Sequence, residues 1–309
     1  ETVNGFQVGS HVPANAVFSD DQDATSVFYD NSSSSLSASN VQDAIDEVNQ
    51  NISNSNIELN DLSDGYTDNN NNLYLGSNPS NISTNAIANV SVGNQALNAN
   101  MDGTHNVAIG VSALEQSTED AQVAVGAYAL NDNTTGYQNN ALGYQALANN
   151  TTGGMNNAYG YASLMQNTTG SSNSGFGQWT LMSNTTGYGN TAMGQAALYN
   201  NNIGNTNTAI GKYAMFDNTS GHHNTAVGDV SLRKNSTGDG NVAVGHKSLE
   251  TNTTGEFNVA VGSYALQQST TSSSNVAVGE RALDNNTTGQ ENTAVGRYAL
   301  TDNTTGSHN

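Results

Sequence analysis

The chain has 309 residues, of which 26 are acidic, 6 basic and none cysteine, for a formal charge of −20. That balance sets nucleic acid and anionic membrane aside as partners, because both repel an acidic surface. The missing cysteines exclude a disulfide framework and thiolate metal sites. No stretch of about 18 consecutive apolar residues occurs, so no membrane insertion is expected.

Residues 1–38 read as an irregular, extended segment with Pro13 and a Ser-rich run at Ser32–Ser35. Residues 39–63 read as a helix. Ser39 and Gln42 fit a capping box, with Ser39 as N-cap and Gln42 reaching back. Val41, Ile45, Val48, Ile52, Leu59 and Leu62 follow at steps of 4 and 3, with Ser55 filling the single gap. That is a heptad seam, and its β-branched core sites suit three strands. A short trimeric coiled coil is therefore expected, with an amphipathic helix packed on its own chain as the alternative. Residues 64–84, with Asn69–Asn72 and Pro79, read as a polar connector. The chain opens at Glu1 without an initiator Met and stops at Asn309 without a polar cap, so both ends read as cut.

Residues 85–309 are a repeat. Thirteen glycines mark it, from Gly93 to Gly296, each 17 residues from the last except Gly110 and Gly126, which are 16 apart. A short fixed period means that each unit is one coil of a stack, burying its core only against its neighbours. The expected fold is all-β: a parallel β-solenoid of about 13 coils. Strict periodicity also argues against the disorder that a chain rich in Asn, Thr, Ser and Gly would otherwise suggest.

Within a coil, the residue before the glycine is always apolar, and the one before that is Ala in eleven coils. Four residues after the glycine stands Leu, or Met215. Two short β-like segments are therefore expected, Thr-Ala-Val-Gly and x-Ala-Leu, each burying one large and one small side chain. Asn-Thr-Thr-Gly turns join them, as at Asn133–Gly136 and Asn252–Gly255. Asn at the coil start recurs at Asn106, Asn139 and Asn156, and stacked amides can form a ladder. Glu115–Gln122 and Ser269–Ser274 break the turn pattern, and bulges are expected there. One Val and one Leu per coil make a thin core. Further burial between chains is expected, which favours a homotrimer.

The Asn-Thr-Ala-Val-Gly…Ala-Leu…Asn-Thr-Thr-Gly unit, complete at Asn292–Gly306, closely resembles repeats of phage tail-fibre proteins and related bacterial surface proteins. Asn241–Gly245 and Asn258–Gly262 are similar to the head repeat of trimeric autotransporter adhesins, a left-handed parallel β-roll, although this repeat is longer. Val3–Gly9, Val12–Asp20 and Ser39–Asp46 also resemble tail-fibre segments. The resemblance implies a homotrimeric fibre, extracellular and carried on a virion or a cell surface. Its partners would be other virion or fibre proteins and a host cell-surface receptor or glycan.

Chemistry is sparse. The six histidines show no zinc-binding spacing, His222-His223 falls at a turn, and Asp20, Asp21 and Asp23 lack the rest of a calcium loop. No nucleophile elbow or phosphate loop occurs, so neither a cofactor nor an enzyme is expected. A depolymerase would need paired carboxylates, such as Asp229 with Glu280 or Asp239. The aromatic cluster from Tyr137 to Tyr199 is the candidate contact surface. Tyr159 and Phe176 sit at the invariably apolar position and read as core. Tyr144, Tyr161 and Trp179 sit at variable positions and are the candidate receptor or glycan contacts. The leading reading is a viral tail-fibre shaft or receptor-binding fibre. The alternatives are a bacterial trimeric adhesin or extracellular filament and, as a minor one, an ice-binding solenoid.

Overall fold

The computed structural model describes residues 2–3, 6–7, 41–54, 65–76, 85–100 and 102–309. The chain divides into two units, Glu1–Glu58 and Leu59–Asn309. In the first, β1 (Thr2–Val3) pairs antiparallel with β2 (Phe6–Gln7), and α1 spans Val41–Asn54. Helix α1 falls within the expected helix, and the rest of that span, 39–40 and 55–63, lies outside the described residues. Ile45 is 48% exposed on it and Ala44 is buried. The side chains of Val41, Val48 and Ile52, and all of Ser39, Leu59 and Leu62, lie outside the described residues. Gln42 Nε2 donates to the Asp46 carboxylate at 2.9 Å; the expected capping box with Ser39 lies outside the described residues.

The second unit is one sheet of fifteen strands. Its first two strands, β3 (Gly65–Thr67) and β4 (Leu73–Gly76), form an antiparallel pair inside the segment read from sequence as a connector. Gly76 stands 17 residues before Gly93, and Asn72 stands 17 before Asn89, so the solenoid starts one coil earlier than the sequence reading placed it. Strands β5 (Val90–Gly93) to β17 (Thr293–Val295) then stack in parallel, one per coil. About 4.8 Å per step gives a stack on the order of 65 Å long.

Each of these later strands is about three residues long, and its middle residue alone points inward: Ala124, Ala226 and Ala260 are fully buried. Opposite lies the leucine column, Leu97 to Leu283 with Met215 in register, also fully buried. The x-Ala-Leu segment is not a second strand. Both residues flanking its Ala are left-handed, as at Tyr128 (φ 60°) and Leu130 (φ 51°). Such a conformation costs roughly 1–2 kcal/mol for a non-glycine residue. Inter-coil hydrogen bonds offset it: Tyr128 N–H donates to Val111 O in the preceding coil at 2.9 Å, and Leu130 N–H donates to Ala146 O in the following one at 3.0 Å. The stack is thus bonded through its turns as well as its sheet.

Two columns of asparagine complete the interior. In the first, Asn156 Oδ1 accepts from the Asn173 backbone N–H at 3.0 Å, and Asn156 Nδ2 donates to Gly170 O at 2.9 Å. In the second, Asn167 Nδ2 donates to Asn150 Oδ1 at 2.7 Å and to Gly170 O at 2.9 Å. The sequence points to the first column; the second lies where it reads as turn chemistry. A carboxylate closes the first column at the amino end: Asp68 accepts from Asn72 Nδ2 at 2.8 Å and from the Asn72 N–H at 3.0 Å.

The expected bulges are absent from the strands. β6 (Val107–Ile109) and β7 (Val123–Val125) stay in register across the 16-residue coil. There Gln122 takes the asparagine position, its Nε2 donating to Ser117 Oγ at 2.6 Å and its Oε1 accepting from Asn133 at 3.0 Å. The longer amide absorbs the deletion in the turn. In the other irregular coil Ser269 and Ser272 bond each other in place of an asparagine and a glycine, and β15 (Val259–Val261) and β16 (Val276–Val278) remain paired.

Candidate functional site

A strand's side chains alternate between faces, so an inward Ala places both its neighbours outside. The apolar residue before each glycine is therefore not core, contrary to the sequence reading. Ile109, Leu142, Phe176, Met193, Ile210 and Val261 are 37–47% exposed, and Val295 is 70% exposed. Phe176 and Tyr159, expected inside, lie on this outer face with rings stacked at 5.0 Å and 7°. The inward positions of these coils are taken by the Ala and Leu columns. The result is a ridge of thirteen apolar side chains, one per coil, down the outside of the sheet.

Around the corner made by each glycine lies a second feature. Tyr144 and Tyr161 stack at 5.5 Å and 14°, one coil apart. Trp179 stands edge-on to Tyr161 at 6.2 Å and 79°, and Tyr128 stands edge-on to Tyr144 at 6.1 Å and 85°. The three candidate contacts are thus brought into one run, and Tyr128, which the sequence reading passed over, extends it. Tyr128, Tyr144 and Tyr161 are exposed, and Trp179 is half-buried. Parallel coils in register bring Tyr144 and Tyr161, each one residue after its glycine, within ring-contact distance, and Tyr128 and Trp179, each two residues after its glycine, meet them edge-on. Tyr137 and Tyr188 are exposed without joining it, and Tyr199 stacks instead on Phe216 at 4.9 Å.

The remaining candidates separate. His222 Nδ1 accepts from the Asn205 N–H at 3.0 Å, and His223 Nδ1 shares a hydrogen bond with Thr206 Oγ1 at 2.8 Å. Their rings are 6.4 Å apart, and no group of three potential metal ligands occurs among the described residues. Asp20, Asp21 and Asp23 lie outside the described residues. Asp229 faces His246 at 3.8 Å, Glu280 pairs with Arg297 at 2.9 Å, and Asp239 accepts from the His222 N–H at 2.6 Å. Each carboxylate thus has its own partner. Threonine hydroxyls at Thr134, Thr151 and Thr168 donate to carbonyls of the next coil at 3.0 Å. Burial pushes the Asp284 carboxyl above its ordinary range, outweighing the lowering effect of Arg281 at 2.8 Å.

No family model, curated protein or solved structure matches the chain.

Proposed function

We propose that this chain is a structural and adhesive fibre protein. It would act outside the cell as the shaft or receptor-binding part of a viral tail fibre, assembled as a homotrimer. The ridge on the outer sheet face carries this reading. Thirteen side chains about a third to a half exposed present on the order of 700 Å² of apolar surface. That exceeds the roughly 300–600 Å² of the largest patch on a typical monomer. It approaches the roughly 800 Å² that each partner buries in a stable complex. A ridge that repeats once per coil fits best against a copy of itself, since an identical chain repeats at the same spacing. Three copies would hold a receptor-binding surface away from the particle and raise its avidity. Helix α1 would add a second seam.

Light scattering on the full chain tests the assembly. The expected mass is near three chains for the natural sequence. It should fall to one for Val244→Lys combined with Val261→Lys, since lysines there leave charges to be buried. Thr254→Lys, on an exposed turn, should leave the mass unchanged. A folded single chain at micromolar concentration would end the trimer reading.

A further inference from the structure

Three of the run's four rings, Tyr144, Tyr161 and Trp179, lie in a part of the chain that carries no charge at all. Residues 133–211 contain no Asp, Glu, Lys, Arg or His. At the chain's overall 10% content of Asp, Glu, Lys and Arg, 79 residues would hold about eight of these four types (79 × 0.10). The neutrality is local. Asp102, Glu115, Glu119, Asp120 and Asp132 precede the band, and all six Lys and Arg residues of the chain follow it, beginning at Lys212. Within and beside it Tyr128, Tyr144, Tyr161 and Trp179 run across three coil steps, about 14 Å at strand spacing. The outer rings are turned roughly at right angles to the stacked central pair. The run therefore offers ring surface in two orientations. Amide and hydroxyl side chains such as Asn149, Gln166 and Gln178 are exposed in the same coils.

We infer that this band is a binding site for an uncharged carbohydrate chain lying along the rod. Rings supply apolar contact for the C–H faces of sugars, and neutral amides supply paired donors and acceptors. No ion has to be stripped of water for the ligand to settle, a cost that a charged rim would impose. An acidic glycan would meet no cation in the band and a net charge of −20 overall. The inference gives the adhesive reading a ligand class and rests on it for biological meaning. Its test does not depend on assembly.

Trp179 is the only tryptophan in the chain, so its fluorescence reports on this band alone. The full chain is titrated with neutral hexasaccharides (β-1,4-glucan, β-1,3-glucan, α-1,4-glucan and mannan) and with an alginate hexamer as the acidic probe. At least one neutral probe should perturb Trp179, with affinity changing less than twofold between 50 and 500 mM NaCl. Tyr161→Ala should weaken that binding about tenfold. Tyr161→Phe should retain it, and Tyr298→Ala, an exposed ring outside the band, should leave it unchanged. The proposal is overturned if no neutral probe perturbs Trp179, if alginate binds more tightly than every neutral probe, or if Tyr161→Ala binds like the natural chain. It is equally overturned if Tyr161→Ala alters the mass by light scattering while the natural chain binds no sugar, since the band would then be a contact between chains. Loss of the trimer with sugar binding intact would count against the fibre reading alone.

Discussion

Alanine at Gly262 should open the stack locally, and the size of the effect separates two reasons for glycine at this position. Gly262 has φ +132°, a conformation that costs an alanine roughly 1–3 kcal/mol. It also lies against the next coil: a Cβ there would stand 2.6 Å from both the carbonyl carbon and the oxygen of Gly279. Relief to ordinary contact needs a shift of about 0.8 Å. The adjacent bond, Gly279 N–H to Val261 O, is 2.8 Å long. Stretched by that amount it leaves hydrogen-bonding range. One or two such bonds at roughly 0.5–1.5 kcal/mol each add about 2 kcal/mol. Gly296 supplies the control. Its φ is +128°, but a Cβ there meets only Ala299, at 3.9 Å. Gly296→Ala therefore carries the backbone strain without the collision. Amide exchange read by mass spectrometry should rise about thirtyfold more in β15 and β16 of Gly262→Ala than in β17 of Gly296→Ala, the equivalent of that 2 kcal/mol. Strands several coils away should exchange normally, since a stack couples mainly through nearest neighbours. Equal effects in the two variants would refute the collision argument and leave φ alone as the reason for glycine.

Two further outcomes test the interior. Asn207→Ala removes the acceptor of the Asn224 N–H (3.0 Å) and the donor to Gly221 O (2.8 Å). The orphaned amide and lost bonds should cost about 2–4 kcal/mol, read as faster exchange at Asn224, whereas Thr237→Ala on an exposed turn should stay within about 0.5 kcal/mol. Asp284→Asn should raise the urea midpoint at pH 7. A carboxyl whose pKa is raised by folding favours the fold only while protonated, so the natural chain recovers on acidification and the advantage of the variant should shrink by pH 4. An advantage that grows toward pH 4 would mean that the ion pair with Arg281 outweighs burial.

Much of this architecture was legible because the glycine spacing fixes the coil, and the coil fixes the parallel register. The buried Ala and Leu columns were legible for the same reason. What misled was the assumption that the larger residue of a pair is the buried one. In a strand of three residues one side chain goes in and two stay out, and the recurrent Ala marks the inward position as firmly as any Val could. The left-handed turns at Tyr128 and Leu130 left no signal, because inter-coil bonds rather than residue preference hold them. The first coil was hidden by Tyr74, which is buried where later coils have Ala. Its glycine and asparagine were nonetheless in phase. In the candidate site the sequence placed Tyr144, Tyr161 and Trp179 on neighbouring coils. The angles between their rings, and the part of Tyr128, depend on rotamers that no spacing reveals.

Because the bonds between coils run along the stack, a pull on its two ends loads them one coil at a time. Each 17-residue coil occupies about 4.8 Å while folded and spans roughly 58 Å when drawn out. A single coil peeled from an end therefore yields some 50 Å of slack while the remainder keeps its shape. A tether made this way would give ground to a sudden tug in steps, rather than snap, and re-form when the tension passes.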